Sequence, residues 1–240
     1  MRISVIIPTY NVEKYVVQCV KSVCEQTYKD IEILVIDNES KDSTFKILQK
    51  MQKTYKFKLD TAENIWPYCW DECRNKGMSY MTGEWFTVIG SDDYIEIDYV
   101  EKAANFIKAN KNVLALQSPM QGFQMDKQTV QLQHSYSSIE EFKNLCLNKS
   151  PVNTPTVFYH RSLYDKGLAN GKPELYSGAA DYNLYCELAD ANVLIHPVPE
   201  WIGYHYRWHE NQATWGMHKT NIKYDNVIQN YWRKKWLTNP

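Results

Sequence analysis

Near the middle of the chain lies the segment WFTVIGSDD, residues 85–93. Its first five residues are typical of a buried strand, and two adjacent carboxylates, Asp92 and Asp93, end it. In open α/β sheets, ligands bind where the carboxyl ends of the strands meet. Paired acids repel each other unless a cation or hydrogen-bond donors compensate them, and hard divalent cations favour such groups. The segment therefore predicts a cation-binding edge, or else an Asp turn that caps the helix expected near residue 97.

Strand and helix patterns alternate on either side of this segment. Apolar, β-branched runs predict strands, and apolar residues at helical spacing predict helices. In the first half, the expected strands cover residues 3–7, 31–36 and 57–59. The expected helices cover residues 12–24 and 68–81, and a further helix, capped by Ser40 or Asp42, runs to about residue 51. Such alternation is typical of βαβ units, which form a mostly parallel sheet with helices on both faces.

The pattern weakens beyond residue 117. Strands are expected at residues 129–134, 156–159 and 193–195, and helices at residues 139–147, 181–188 and 227–237. The sequence shows no internal repeat, low-complexity tract or linker. We therefore expect one α/β domain over residues 1–240, with a regular half over 1–117 and an elaborated half over 118–240.

The composition is that of a soluble globular protein. The 240 residues are 44% hydrophobic and 23% charged, and a formal charge of −1 disfavours a nucleic-acid partner, which selects a basic excess. The N-terminus lacks a signal-peptide pattern, and no apolar stretch approaches the roughly 20 residues that span a bilayer. The six cysteines are scattered, so we expect reduced thiols in a cytoplasmic protein.

Three predicted strands end in polar residues that would meet at one edge of the sheet. These ends are PTYN at residues 8–11, DNES at 37–40 and SDD at 91–93. The sequence has no glycine-rich phosphate loop of the Rossmann or P-loop kind. At an acidic edge without such a loop, we expect phosphate groups to be bound through a metal ion.

The same segments resemble the signature of family 2 glycosyltransferases. The family pattern runs P-T-Y-N-x-E, Q-T-Y, D-D-G-S-x-D-x-T, A-R-N-x-G and G-E-Y…D-S-D-D-Y. This chain has PTYNVE at 8–13, QTY at 26–28, DNESKDST at 37–44, CRNKG at 73–77, and GEW at 83–85 followed by GSDDY at 90–94. Five pieces in family order and spacing, over residues 3 to about 100, are hard to obtain by chance.

The resemblance implies a GT-A fold, in which a Rossmann-like nucleotide-binding half abuts an acceptor-binding half. It implies a nucleoside-diphosphate sugar as donor, with UDP as the expected nucleotide, and Mg²⁺ or Mn²⁺ as cofactor. Carried over by position, the implied donor-site residues are Pro8, Thr9 and Tyr10 around the nucleoside, Asp37 at the base, Arg74 at the base or phosphates, Asp92 at the ribose, and Asp92 with Asp93 at the metal. Asn38 and Gly90 depart from the family, which usually has Asp at both positions.

Two later segments resemble the family's catalytic half. SGAADYNLY, residues 177–185, is similar to its G-x-E-D segment, with Ala180 where Glu is common. This implies that Asp181 is the general base for the acceptor hydroxyl, whereas the residues alone also allow a helix N-cap. YHYRWHENQAT, residues 204–214, is similar to the family's Y-x-Y-R-x-H-x-x-S-x-T. This implies that Arg207 and His209 lie on a loop beside the diphosphate and stabilise the departing nucleotide.

The resemblance thus implies an inverting, metal-dependent, hexosyltransferase-type enzyme of polysaccharide biosynthesis, whose acceptor is a glycan or a lipid-linked saccharide. The alternative, motivated by Asn38, Gly90 and Ala180, is a catalytically idle GT-A module that binds nucleotide or a partner enzyme. The basic and aromatic residues 231–236 fit either a helix packed on the domain or peripheral contact at the inner face of the membrane.

Overall fold

The computed structural model describes residues 1–65, 69–124, 127–198, 200–212 and 222–238. The strands are β1 (Ile3–Thr9), β2 (Ile31–Asp37), β3 (Lys58–Thr61), β4 (Trp85–Val88), β5 (Tyr94–Ile95), β6 (Ala115–Gln117), β7 (Met120–Gln124), β8 (Lys127–Leu132), β9 (Phe158–His160), β10 (Ile195–Pro197) and β11 (Tyr204–Arg207). The described helices are α1 (Val16–Cys24), α2 (Thr44–Met51), α3 (Cys69–Tyr80), α4 (Tyr99–Ala109), α5 (Ile139–Cys146), α6 (Arg161–Asp165), α7 (Pro173–Tyr176), α8 (Ala180–Asp190) and α9 (Tyr224–Thr238). Short 3₁₀ turns cover Thr154–Thr156 and Ser177–Ala179.

The larger sheet has seven strands in the order β10-β6-β9-β4-β1-β2-β3. All neighbours run parallel except β9, which is antiparallel to both β4 and β6. The predicted α/β class with a mostly parallel central sheet is confirmed. Thr9 pairs with Asp37, and Ile6 pairs with Val88. This register brings the carboxyl ends of β1, β2 and β4 to one edge, as the sequence predicted.

The sheet is buried on both faces because successive side chains of a strand point to opposite sides. Val5 and Ile7 pack against a cluster that contains residues of α1, α2 and α4, whereas Ile6 packs with residues of α3 and α8. At Gly77, a Cβ atom would lie 2.4 Å from Ile6 Cγ2, so helix α3 approaches β1 more closely than any larger residue allows. The glycine of the CRNKG segment therefore sets the position of α3.

A second sheet has four strands in the order β5-β11-β7-β8. Strand β11 runs parallel to β7 and antiparallel to β5. The prediction that Arg207 lies on a loop is wrong, because Arg207 is the last residue of β11 and pairs with Phe123. This small sheet places the YHYR segment, residues 204–207, against the loop that follows β4.

Several helix boundaries differ from the predicted ones by a few residues. Helix α1 begins at Val16 and not at residue 12, because Asn11 has a positive φ of 50° and the Val12 backbone N–H donates to Thr44 Oγ1. The predicted start of α3 at residue 68 lies outside the described residues. Of the described helices, none is both long and apolar enough to cross a bilayer.

Candidate active site

The loop after β4 presents its two acids differently. The Asp92 side chain is 23% exposed, whereas Asp93 is 2% exposed. A Cβ atom at Gly90 would lie 2.7 Å from Asp93 Oδ2 and 3.1 Å from Asp92 Oδ1. Gly90 is therefore required by the packing of the two carboxylates, and a side chain at this position would displace at least one of them.

Asp93 joins the loop to strand β11. Its Oδ2 accepts a hydrogen bond of 2.6 Å from the Tyr204 hydroxyl, and its Oδ1 accepts one of 2.8 Å from the Arg207 backbone N–H. The Tyr204 hydroxyl in turn accepts from the Gly90 backbone N–H at 3.0 Å. Burial, and then the charge of Asp92, raise the pKa of Asp93 well above its usual value, although the bonds from Tyr204 and Arg207 oppose this rise. Both carboxylate oxygens of Asp93 are thus engaged by the protein.

Asp92 faces His209, which lies two residues beyond the end of strand β11. His209 Nε2 lies 2.9 Å from Asp92 Oδ2, and the His209 ring packs 4.7 Å from the ring centroid of Tyr15. Gln212, in the position where the family usually has Ser, donates from Nε2 to the Arg207 carbonyl and accepts at Oε1 from the His209 backbone N–H. This residue therefore fixes the short turn between Arg207 and His209.

Arg207 is held beside Asp92 by both hydrogen bonds and rings. Its Nε donates to the Asp92 carbonyl at 2.7 Å, and its Nη2 donates to Gln18 Oε1 at 2.6 Å. The guanidinium carbon lies 4.7 Å from the ring centroid of Tyr15 and 4.5 Å from that of Phe123. Such stacking orients a guanidinium while leaving its charge in place. The structure thus brings Asp92, Arg207 and His209 together at the carboxyl edge of the sheet.

The described residues contain no group of three or more His, Cys, Asp and Glu side chains that could hold a metal ion. The Asp92 carboxylate and the His209 imidazole nitrogen, 2.9 Å apart, are an oxygen and a nitrogen donor on one wall of the site. Two protein donors suit a cation that also binds phosphate oxygens and water, as Mg²⁺ does in nucleotide sites. The residues present therefore fit a divalent ion whose coordination a diphosphate completes.

The ends of β1 and β2 are tied to each other. Asp37 is buried and accepts hydrogen bonds from Thr9 Oγ1, from the Ser40 hydroxyl and from the Ser40 backbone N–H. Pro8 is buried within β1, whereas Tyr10 just beyond it is 41% exposed. Of the predicted nucleoside residues, Tyr10 therefore offers the most side-chain surface, and Asp37 shapes the turn that follows β2.

Asn38 is a feature of this edge that sequence reasoning noted only as a departure from the family. Its Nδ2 donates to the carbonyls of Ala62 and Glu63, which fixes the amide orientation. Its Oδ1 is buried and has no hydrogen-bond partner among the described residues. A buried acceptor without a partner is costly, so Asn38 is a candidate acceptor for a donor on a bound ligand.

Arg74 lies on the α3 side of the molecule. It is 6% exposed, and its Nη2 donates to the Ala169 carbonyl. Burial raises the pKa of Tyr159 to about 12; the charge of Arg74 opposes this rise and the charge of Asp181 adds to it. The structure thus groups Arg74 with the loop at Ala169 and with Asp181, and no described hydrogen bond links it to Asp92, Arg207 or His209.

Asp181 is the second residue of α8, and the N-cap of that helix is Ala179. The Asp181 Oδ2 accepts a hydrogen bond of 2.6 Å from the Thr154 hydroxyl, and its Oδ1 accepts one of 2.7 Å from the Tyr182 backbone N–H. Burial raises the pKa of Asp71, which the sequence did not single out, and the charge of Asp181 adds to this rise. A tertiary contact of this kind leaves no signal in local sequence patterns.

Residues 4–169 match the family model described as Glycosyl transferase family 2, so the chain belongs to that family. The family prediction is confirmed.

Two curated relatives illustrate the similarity. "Glycosyltransferase GlyA" of Streptococcus pneumoniae serotype 4 is 39% identical over 101 residues, which are 42% of this chain and 14% of that protein. An "Uncharacterized glycosyltransferase" of Haemophilus influenzae is 25% identical over 222 residues, which are 88% of this chain and 67% of that protein. The chain thus corresponds to only a small part of GlyA and to about two thirds of the second relative.

Solved structures show the same fold. S. aureus TarS 1–349 in complex with UDP-GlcNAc aligns with a TM-score of 0.74 and 23% identity, over 92% of this chain and 62% of that one. The mannosyltransferase PcManGT from Pyrobaculum calidifontis, in complex with GDP-Man and Mn²⁺, aligns with a TM-score of 0.64 and 15% identity, over 100% of this chain and 76% of that one. At these identities the alignments establish the predicted GT-A fold.

Proposed function

We propose that this chain is a glycosyltransferase that moves a sugar from a nucleoside-diphosphate donor, a UDP-sugar, to a hydroxyl of a saccharide. The observation that carries this proposal is the grouping of Asp92, His209 and Arg207 at the carboxyl edge of the parallel sheet. Membership of family 2 and the nucleotide-sugar complexes of TarS and PcManGT support it.

The metal ion, Mg²⁺ or Mn²⁺, is proposed to bind Asp92 and His209. When bound, such an ion neutralises charge that grows on the departing diphosphate. The sequence assigned Asp93 to the metal as well, but both of its oxygens are already hydrogen-bonded within a buried site. We therefore give Asp93 the role of holding β11, and with it Arg207, against the loop that carries Asp92.

Arg207 is proposed to face the diphosphate. Its guanidinium is oriented by Tyr15 and Phe123 and by its bond to Gln18, so it adds fixed positive charge beside Asp92. Preoriented charge of this kind stabilises a leaving anion without reorganisation during the reaction. This arrangement favours departure of the nucleotide.

The nucleoside is proposed to lie at the ends of β1 and β2. Tyr10 supplies exposed ring surface, and the buried Asn38 Oδ1 supplies an acceptor. Thr9 and Asp37 hold the two strand ends together, and Pro8 is buried behind them. In this proposal Arg74, which the sequence placed at the base or phosphates, instead fixes the Ala169 loop near Asp181.

Asp181 is proposed as the general base. The acceptor O–H bond breaks and its proton moves to the Asp181 carboxylate, while the acceptor oxygen forms a bond to the anomeric carbon and the bond to the diphosphate oxygen breaks. Direct displacement inverts the anomeric centre and requires no protein nucleophile. The bond from Thr154 fixes the carboxylate orientation.

The test is UDP release from UDP-GlcNAc and other UDP-sugars, with saccharide acceptors, in Mn²⁺ or in EDTA. We expect Mn²⁺-dependent turnover that Asp92→Asn lowers about 10²-fold or more. Asp98→Asn is the matched control, because it removes an acid six residues away that is partly exposed and pairs with Lys102 on α4. Full activity in EDTA, or in Asp92→Asn, would refute the metal assignment. UDP binding without turnover would favour the idle module.

A cytoplasmic location with peripheral membrane contact through α9 is also only a proposal. Within α9, Arg233 donates to the Leu147 carbonyl, Lys235 pairs with Asp190, and Trp232 donates to Asn183. These contacts favour packing on the domain, whereas Tyr231 and Leu237 are exposed. Co-sedimentation with vesicles that contain roughly 30% anionic lipid, to represent an anionic leaflet, tests the membrane contact.

A further inference from the structure

A carboxylate outside the sequence-predicted site lies beside the proposed base. Asp71 is in the first turn of α3, and its Oδ1 is 3.4 Å from the point where a Cβ at Gly171 would lie. The same point is 3.5 Å from the Cβ of Ala180, the residue before Asp181. Asp71 and the start of α8 therefore lie on either side of Gly171, each within van der Waals distance of the same point.

Neither hydrogen bond nor ion pair holds the Asp71 carboxylate within the part of the chain that the structure describes. The side chain is nonetheless half-buried, and this desolvation is the largest cause that raises its pKa to about 6. The charged groups that face it are Arg74 and Glu72 on its own helix, Glu174 on α7 and Asp181 on α8. Arg74 lowers the pKa of Asp71, and the three acids raise it.

We propose that Asp71 is a positioning residue of the transfer reaction, which acts through Asp181 by strengthening it as the base. The proposal rests on the proposed role of Asp181. Electrostatic coupling is reciprocal, so a charge on Asp181 that holds a proton on Asp71 implies that a charge on Asp71 holds a proton on Asp181.

The place of Ala180 fits this arrangement. The family usually has a second carboxylate directly before the base, and this chain has a methyl group there. Asp71 brings a carboxylate to the same end of α8 from another helix. The acidic character next to Asp181 is therefore retained through a tertiary contact.

The first experiment measures coupling without any substrate. Selective ¹³C labelling of aspartate carboxyl groups gives titration curves of the full chain by NMR. We expect Asp71 to titrate near pH 6 in the wild type, and its midpoint to fall by about one pH unit in Asp181→Asn. Glu72→Gln is the matched control, because the charge of Glu72 raises the pKa of Asp71 less than that of Asp181 or Glu174 does. An Asp71 midpoint that Asp181→Asn leaves unchanged overturns the proposal.

The second experiment measures the pH dependence of kcat/KM for UDP release with Mn²⁺ and a saccharide acceptor. In the wild type we expect kcat/KM to rise again as pH passes through about 6, because Asp71 then becomes charged and strengthens Asp181 as the base. Asp71→Asn should lose this rise, and Asp71→Glu should keep it. A purely structural role would lower the rate at every pH without removing the rise, and that result overturns the proposal. If Asp181→Asn is inactive while Asp71→Asn keeps the wild-type pH profile, only this inference fails. If Asp181→Asn is fully active, the proposed base fails and the inference with it.

Discussion

Tyr204 is the best place to test whether strand β11 is fastened to the metal-facing loop through Asp93. The residue is fully buried, and its hydroxyl donates to Asp93 Oδ2 at 2.6 Å and accepts from the Gly90 backbone N–H at 3.0 Å. Tyr204→Phe keeps the ring and removes only this oxygen. It leaves a carboxylate oxygen and a backbone N–H buried without a partner.

The expected cost follows from those two groups. A buried polar group without a partner costs about 1–3 kcal/mol, so the two together cost about 2–6 kcal/mol. For a chain of this size, a loss of about 3 kcal/mol lowers Tm by roughly 6–12 °C. Urea unfolding should measure the loss of stability, and calorimetry should measure the lower Tm. We also expect UDP and Mn²⁺ to raise the Tm of the variant less than that of the wild type, because Arg207 and Asp92 are no longer fixed relative to each other.

The matched control is Tyr231→Phe, which removes a hydroxyl from a half-exposed ring on α9 and should change stability by less than about 0.5 kcal/mol. A loss in Tyr204→Phe below about 1 kcal/mol, with an unchanged response to UDP and Mn²⁺, would show that Asp93 does not join the loop to β11.

Three further predictions follow from the same geometry. Asp71 has a pKa of about 6 in the folded state against an ordinary 3.8, so the folded state binds an extra proton between these pH values and the stability falls as pH rises through them. Asp71→Asn should therefore be more stable than the wild type above pH 6, by up to about 3 kcal/mol, and equally stable below about pH 4. Urea titrations at both pH values measure this difference. Gly90→Ala places a Cβ 2.7 Å from Asp93 Oδ2 and should cost about 1–3 kcal/mol and weaken Mn²⁺ binding in calorimetry, whereas unchanged affinity would argue against a packed loop. Thr154→Val removes the 2.6 Å hydrogen bond to Asp181 Oδ2 and should lower kcat about tenfold with little change in KM for the donor; an unchanged kcat would remove Thr154 from the site.

Most of the parallel sheet was predictable because its strands are buried on both faces. Their sequences are therefore continuous apolar runs rich in β-branched residues. Strands β1, β2 and β4 lie within a residue or two of the predicted bounds. Strand β11 was missed because its sequence, YHYR, alternates aromatic and basic residues, and its partners β5 and β7 are remote in the chain. Pairing of distant segments is a tertiary property that local patterns do not encode.

The candidate site shows the same limit. The sequence located two adjacent acids and assigned both of them to the metal, whereas the structure buries Asp93 and leaves Asp92 partly exposed. The difference is set by Tyr204, which lies 111 residues further along the chain. In the sequence, Gly90 stands where the family usually has Asp and therefore indicated the loss of a carboxylate. The structure shows instead that the packing of Asp92 and Asp93 leaves no room for a side chain there. Asp71 gave no signal, because its relation to Asp181 exists only once α3 and α8 have packed.

The central claim is that Asp92 and His209 hold a divalent ion against the diphosphate of the donor. The most direct measurement is the Mn²⁺-dependent part of the rise in Tm caused by UDP, compared between the wild type, Asp92→Asn and Asp98→Asn. We predict that Asp92→Asn loses this part and keeps the metal-independent part, while Asp98→Asn behaves as the wild type. A full Mn²⁺-dependent rise in Asp92→Asn would contradict the account.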